Sequence, residues 1–254
     1  MKRKIIVFIA IIIIPFVILL LDHYVLKEDV HMDAAYDQSA DWSYIIQHQD
    51  DIPPSLLKLA MHNKETIPFV SHYLRQPQNL SLDLKTDLKS QEIPLLLQWD
   101  TRWGYRKYGD DFIAVNGCGP TCLSMVLSYL QNNASLNPYV IAKYAYQKGY
   151  YTQAGTSWRL MDEGARCFGV NASQMPLNED MIKQELDQHH PIICSVGPGI
   201  FTTEGHFIVL REYKNGLIYV NDPNSRQHSQ KGYRFDEIKN QIKNLWVYSK
   251  EKNR

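Results

Sequence analysis

The chain has 254 residues, 27 Lys and Arg against 27 Asp and Glu, and 44% hydrophobic residues. The even charge balance lacks the basic excess of a nucleic-acid binder, and the composition is globular, not disordered. Four Cys in this length are too sparse for a disulfide scaffold.

Lys2, Arg3 and Lys4 precede an unbroken apolar run over residues 5–21. Its 17 residues sit at the short end of a membrane-spanning helix, which needs about 17–25. Leu19-Leu20-Leu21-Asp22-His23-Tyr24 offers no small-residue cleavage site. Residues 1–21 are therefore expected to be an uncleaved signal-anchor, with everything after Asp22 outside the cytoplasm. A cleaved signal peptide is the rival, and it would leave the protein secreted. Removing the three basic residues leaves 24 basic against 27 acidic residues outside, a net charge of −3.

Residues 22–92 read as an extracytoplasmic spacer with short helices. One starts at Pro53-Pro54, since proline suits a first helical turn, and continues with helical apolar spacing to Met61. A second is expected over 65–74, with Pro68 confined to its first turn, and 75–92 reads as a linker. No Gly-x-x-x-x-Gly-Lys-Ser/Thr loop is present, so no nucleotide is expected.

From Ile93 the pattern becomes compact. Helices are expected over 120–131, 138–148, 158–168, 179–188 and 236–243, and strands over 191–196, 206–213, 217–221 and 245–248. Helices first and antiparallel strands later indicate an α+β domain over 93–250.

Asn116-Gly117-Cys118-Gly119-Pro120-Thr121-Cys122 holds the candidate nucleophile. Pro120 favours a first helical turn, which places Cys118 at a helix N-terminus, where free amides and the helix dipole stabilise a thiolate. The flanking glycines are expected to allow unusual backbone angles and close substrate approach. Cys122, Cys167 and Cys194 read as buried thiols, and no second ligand pair supports zinc. Neither a metal nor any other cofactor is expected.

A thiolate nucleophile needs an imidazole and a group that orients it. Of nine His, most lie in polar surroundings; His206 instead opens the apolar run Phe207-Ile208-Val209-Leu210. Asp222 closes the next strand, beyond a turn at Asn215-Gly216. A regular two-residue loop would pair Val209 with Asp222 and put His206 and Asp222 on opposite faces. Their meeting requires a three-residue loop with a bulge at Gly216, or a break in the strand before Asp222. Otherwise Asp222 is a turn former before Pro223.

Four motifs then carry a resemblance: Gln98-Trp99-Asp100-x-Arg102-Trp103, Gly117-Cys118-Gly119-Pro120-Thr121, Gly205-His206-Phe207 and Asn221-Asp222-Pro223. Over about residues 93–250 the chain resembles the papain-like cysteine peptidases related to the bacteriocin-leader (double-glycine) processing family. The resemblance implies a papain-like fold with Cys118 as nucleophile, His206 as base and Asp222 as orienter. It also implies an oxyanion-holding Gln, for which Gln98 is the candidate, 20 residues upstream of Cys118. A double-glycine leader substrate is not implied, because the chain lacks the transporter's polytopic and nucleotide-binding domains.

Tyr150, Tyr151, Trp158 and the 197–204 loop are candidates to line the cleft, or equally core aromatics and turn residues. Three functions stay open: an extracytoplasmic cysteine peptidase or amidase acting on a peptide or amide substrate, an acyltransferase, and a non-catalytic peptide-binding module.

Overall fold

The computed structural model describes residues 30, 32–76 and 80–251. The apolar run 5–21 lies outside the described residues. Among the described residues no helix is long and apolar enough to cross a membrane.

The described residues begin with three short helices, α1 (Ala40–Gln47), α2 (Pro54–His62) and α3 (Ile67–Ser71). Ser39 caps α1 by accepting from Trp42 N at 3.2 Å. Trp42, Ile45, Leu56, Leu57, Ala60, Ile67, Phe69 and Val70 form one buried cluster with Leu97, Trp99, Phe112 and Ala114. The helices expected in 22–92 are thus joined to the later chain by a shared core. Pro68 falls in the first turn of α3, where its missing N–H costs nothing.

A small hairpin, β1 (Lys107–Tyr108) and β2 (Asp111–Phe112), leads through the turn α4 (Ile113–Asn116) into α5 (Cys118–Gln131). Next come α6 (Pro138–Gln147) and the hairpin β3 (Tyr151–Thr152) and β4 (Gly155–Thr156). Asn137 caps α6 through Val140 N at 3.1 Å. The helix expected over 158–168 is instead a 3-10 turn, Trp158–Leu160, and the four-residue α7 (Glu163–Arg166). Asp162 interrupts them by capping Glu163 N at 2.6 Å.

The rest is a six-stranded antiparallel sheet in the order β5-β10-β6-β7-β8-β9. Its strands are β5 (Val170–Met175), β6 (Ile192–Val196), β7 (His206–Lys214), β8 (Leu217–Asn221), β9 (Gly232–Tyr233) and β10 (Ile242–Lys250). Helix α8 (Glu179–Asp187) precedes β6, and the short α9 (Arg226–Ser229) and α10 (Phe235–Ile238) flank β9. The helix expected over 236–243 stops at a 3-10 turn, and its last two residues already belong to β10.

Alternation along β7 places its residues in two cores. Phe207 and Val209 pack with Cys122 and Val126 of α5, while Ile208 and Leu210 pack with Ile182 and Leu186 of α8. The sheet is therefore covered on both faces, and α5 sits on one of them.

The register of β7 and β8 corrects the expected bulge at Gly216, while the strand does end at Asn221, just before Asp222. The turn is the regular two-residue loop, with Lys214 opposite Leu217 and both Asn215 (φ 53°) and Gly216 (φ 76°) left-handed. The bulge lies at Arg211, where Leu210 pairs with Val220 but Glu212 pairs with Tyr219. That extra residue sets Val209 opposite Asn221. Asp222 consequently shares a face with His206.

Candidate active site

Cys118 is the first residue of α5 and half-buried, with Gly117 as its N-cap. Pro120 occupies the first turn, where an N–H would have no intrahelical partner. Cys122 is fully buried one turn on, as expected, and Cys194 is buried in β6. Cys167 is exposed, which corrects the expectation of a buried thiol. It follows α7 at the surface, and its thiol donates to Glu163 O at 3.5 Å.

The glycines around Cys118 are explained by packing. Gly117 has an ordinary φ of −90°. A Cβ on Gly117 would sit 2.4 Å from Ile113 O, and one on Gly119 would sit 2.8 Å from Thr156 Cγ2. The space beside the nucleophile is thus filled by the chain itself, contrary to the expectation of room for substrate.

His206 and Asp222 meet directly. The His206 Nε2–H donates to Asp222 Oδ1 at 2.7 Å, and Asp222 is fully buried. This leaves Nδ1 for the ring's other hydrogen-bond partner, the Cys118 thiol. Asp222 Oδ1 also accepts from Asn224 N at 2.8 Å. Its Oδ2 accepts from His228 Nδ1 at 2.7 Å, so one carboxylate holds two imidazoles.

Burial opposes charge on His206, yet the Asp222 carboxylate and the hydrogen-bonded Cys118 side chain outweigh it and raise the ring from 6.5 to about 10. Burial likewise opposes charge on Asp222, but His206, His228 and Asn224 N hold it down at about 2. The arrangement therefore keeps an imidazolium and a carboxylate side by side at neutral pH.

Gln98 is buried against the segment that leads to Cys118. Its Nε2 donates to Ala114 O at 2.7 Å and more weakly to Val115 O at 3.3 Å. Its Oε1 is buried without a protein partner. The backbone of Gln98 also ties it to the other half of the site, donating from N to Pro223 O at 2.8 Å. Just upstream, Asn221 Nδ2 donates to Ile93 O and Pro94 O, each at 3.1 Å. The fold thus brings Cys118, His206 and Asp222 together, while the Gln98 side chain bonds the backbone of Ala114 and Val115, a few residues before Cys118.

Sequence inspection missed His228. It lies in the polar stretch Arg226-Gln227-His228-Ser229, which reads as solvated surface. Its ring is in fact wedged edge-on against buried Phe201, with centroids 5.5 Å apart. Among the proposed cleft residues, Tyr150 is core and Tyr151 bonds to Asp110. Trp158 is 47% exposed and leans edge-on against Trp246. The 197–204 loop is pinned by Gln241, whose Oε1 accepts from Ile200 N at 2.9 Å.

Residues 90–253 match the Peptidase_C39 like family. Among solved structures, a C39-like peptidase from Bacillus anthracis is similar with a TM-score of 0.44 and 13% identity, over 65% of this chain and 98% of that one. The peptidase domain of Streptococcus ComA, a bi-functional ABC transporter involved in a quorum-sensing pathway, gives a TM-score of 0.40 and 19% identity. That match covers 54% of this chain and 93% of the ComA domain. No curated protein matches significantly.

Proposed function

The chain belongs to the C39-like peptidase family, with its papain-like α+β fold, and from that premise we propose that it is an extracytoplasmic thiol hydrolase cleaving peptide or amide bonds. The observation that carries this is the His206–Asp222 bond of 2.7 Å, with the ring's remaining nitrogen left for Cys118. The apolar run 5–21 would tether the protein to a membrane, and the mildly acidic remainder would face outward.

In this mechanism Cys118 Sγ attacks the carbonyl carbon while its own backbone N–H stabilises the developing oxyanion. The Gln98 amide joins it by giving up its long bond to Val115 O. His206 Nδ1 passes its proton to the leaving amine, and the freed ring then takes a proton from water for deacylation. Asp222 keeps the proton on Nε2, so Nδ1 is the nitrogen that works at the thiol.

The test is an electrophilic peptide probe applied to the full chain in detergent at neutral pH, with mass spectrometry to locate the label. Exposed Cys167 serves as the reference for an ordinary thiol. Cys118 should label much faster than Cys167, and His206→Ala should abolish the difference. Equal labelling of the two in the wild-type chain would remove the catalytic assignment. A peptide library then reads hydrolysis, and added amines would reveal acyl transfer.

A further inference from the structure

Helices α1–α3 and the turn between α2 and α3 precede the family match, yet they reach the loop that carries Asp222. Asn63 Nδ2 donates to Asn224 O at 2.6 Å. Glu65 Oε1 accepts from Ser225 Oγ at 2.6 Å and from Gln227 N at 3.3 Å, and Oε2 accepts from Arg226 N at 2.9 Å. One carboxylate from the upstream segment therefore satisfies donors at the start of α9.

Ser225 passes this grip on to the site. While its hydroxyl proton goes to Glu65, its oxygen accepts from His228 N at 3.1 Å. Ser225 N donates to Asp222 O at 3.2 Å. Ser229 Oγ donates to Ser225 O at 2.7 Å and accepts from Asp222 N at 2.9 Å. His228 then holds Asp222 Oδ2 from the side away from His206. Glu65 itself stands on a firm base: Asn63 Oδ1 accepts from Glu65 N at 3.0 Å, and neighbouring Thr66 and Ile67 are buried.

We propose that the segment preceding the matched region completes the active site, with Glu65 as a positioning residue that fixes Ser225, and through it His228 and Asp222, against His206. This rests on the Cys118–His206–Asp222 assignment above. Glu65 touches no reacting atom. Its effect is to hold the carboxylate in the orientation that keeps Nε2 bonded and Nδ1 aimed at the thiol, where a displacement of 1 Å can cost about 10²-fold.

The experiment compares Glu65→Ala, Glu65→Gln and Ser39→Ala in the full chain. Ser39→Ala removes the cap of α1 in the same segment and leaves the Asp222 loop untouched. Glu65→Ala should lower the iodoacetamide rate at Cys118 by about 10-fold, with Cys167 unchanged. On a cleaved peptide it should lower kcat with little change in KM. Glu65→Gln should fall between, because its oxygen can still accept from Ser225 while its NH2 confronts Arg226 N–H. Ser39→Ala should keep the wild-type rate despite lower thermal stability.

A second readout does not depend on reactivity: the low-field ring-proton resonance of His206, assigned by its loss in His206→Ala. It should weaken in Glu65→Ala and persist in Ser39→Ala. Wild-type rate and resonance in folded Glu65→Ala, or equal losses in Ser39→Ala, would overturn the proposal. If Glu65→Ala does not fold, Glu65→Gln decides by the same criteria. A wild-type Cys118 no faster than Cys167 would instead sink the catalytic assignment, and the resonance would still decide the positioning role.

Discussion

The two ends of the β7–β8 hairpin are held by different means. At the closed end, Asn215 and Gly216 adopt left-handed angles and turn the chain by themselves. At the open end, His206 and Asp222 sit within a framework built from Asn63, Glu65, Gln98, Ser225 and His228. The closed end is a local choice between neighbours in sequence. The open end is a shared arrangement in which the groups around Asp222 are held in turn by residues far along the chain. The first should therefore fail gently and the second chemically, often without unfolding.

Substitutions at the open end should give the largest effects. His206→Ala should cost about 10²–10⁴-fold in hydrolysis, the range for losing a positioned general acid–base, with circular dichroism unchanged. Asp222→Asn should cost about 10-fold, well short of the roughly 10⁴-fold for the same change in a serine triad. An amide can accept from only one of the two imidazoles that now share Asp222, so the His206 bond should weaken without vanishing.

The same pair should leave a signature in stability against pH. His206 titrates near 10 in the folded chain and near 6.5 when free, so the folded state keeps a proton that the unfolded chain releases. That stabilisation is fully present below 6.5 and is lost as pH rises through 10. Denaturant midpoints should therefore fall steadily across this window, and Asp222→Asn should flatten the slope. Asp222 acts at the other extreme: its contribution is present above 3.8 and is lost as pH falls through about 2.

The closed end should respond in stability alone. Gly216→Ala forces a side chain onto a φ of 76° and should cost about 1 kcal/mol, with Cys118 labelling unchanged. Deleting Arg211 should likewise leave the chemistry near wild type. Removing the extra residue leaves Leu210 opposite Val220 and Val209 opposite Asn221 in a regular ladder, so His206 and Asp222 still share a face. Near-wild-type labelling of Cys118 in that deletion would show that the bulge acts through register. A loss as large as that of Asp222→Asn would show instead that Arg211, which donates to Val220 O and Ser229 O, supports the loop directly.

Legibility in the sequence follows the same division. The start of α5, the cap at Asn137 and the Asn215-Gly216 turn all rest on contacts within a few residues. Strand β5 escaped notice because Val170-Asn171-Ala172-Ser173-Gln174-Met175 is too polar to stand out; it is a strand because β10 pairs with it along its whole length. His228 and Glu65 escaped because each lies in a polar stretch, and their partners are 6 and 160 residues away, respectively.

By itself, the sequence determined a nucleophile at a helix start, an imidazole opening an apolar strand, a carboxylate closing the next, and the antiparallel order of those strands. These follow from backbone preferences and apolar periodicity, which act over short distances. Tertiary structure decided that the extra residue enters at Arg211, that the glycines beside Cys118 yield space to Ile113 and Thr156, and that Asp222 serves two histidines. A one-residue shift in register and a buried polar partnership depend on packing across the whole sheet and on satisfying every buried donor and acceptor at once. Such conditions exist only when the distant segments are assembled.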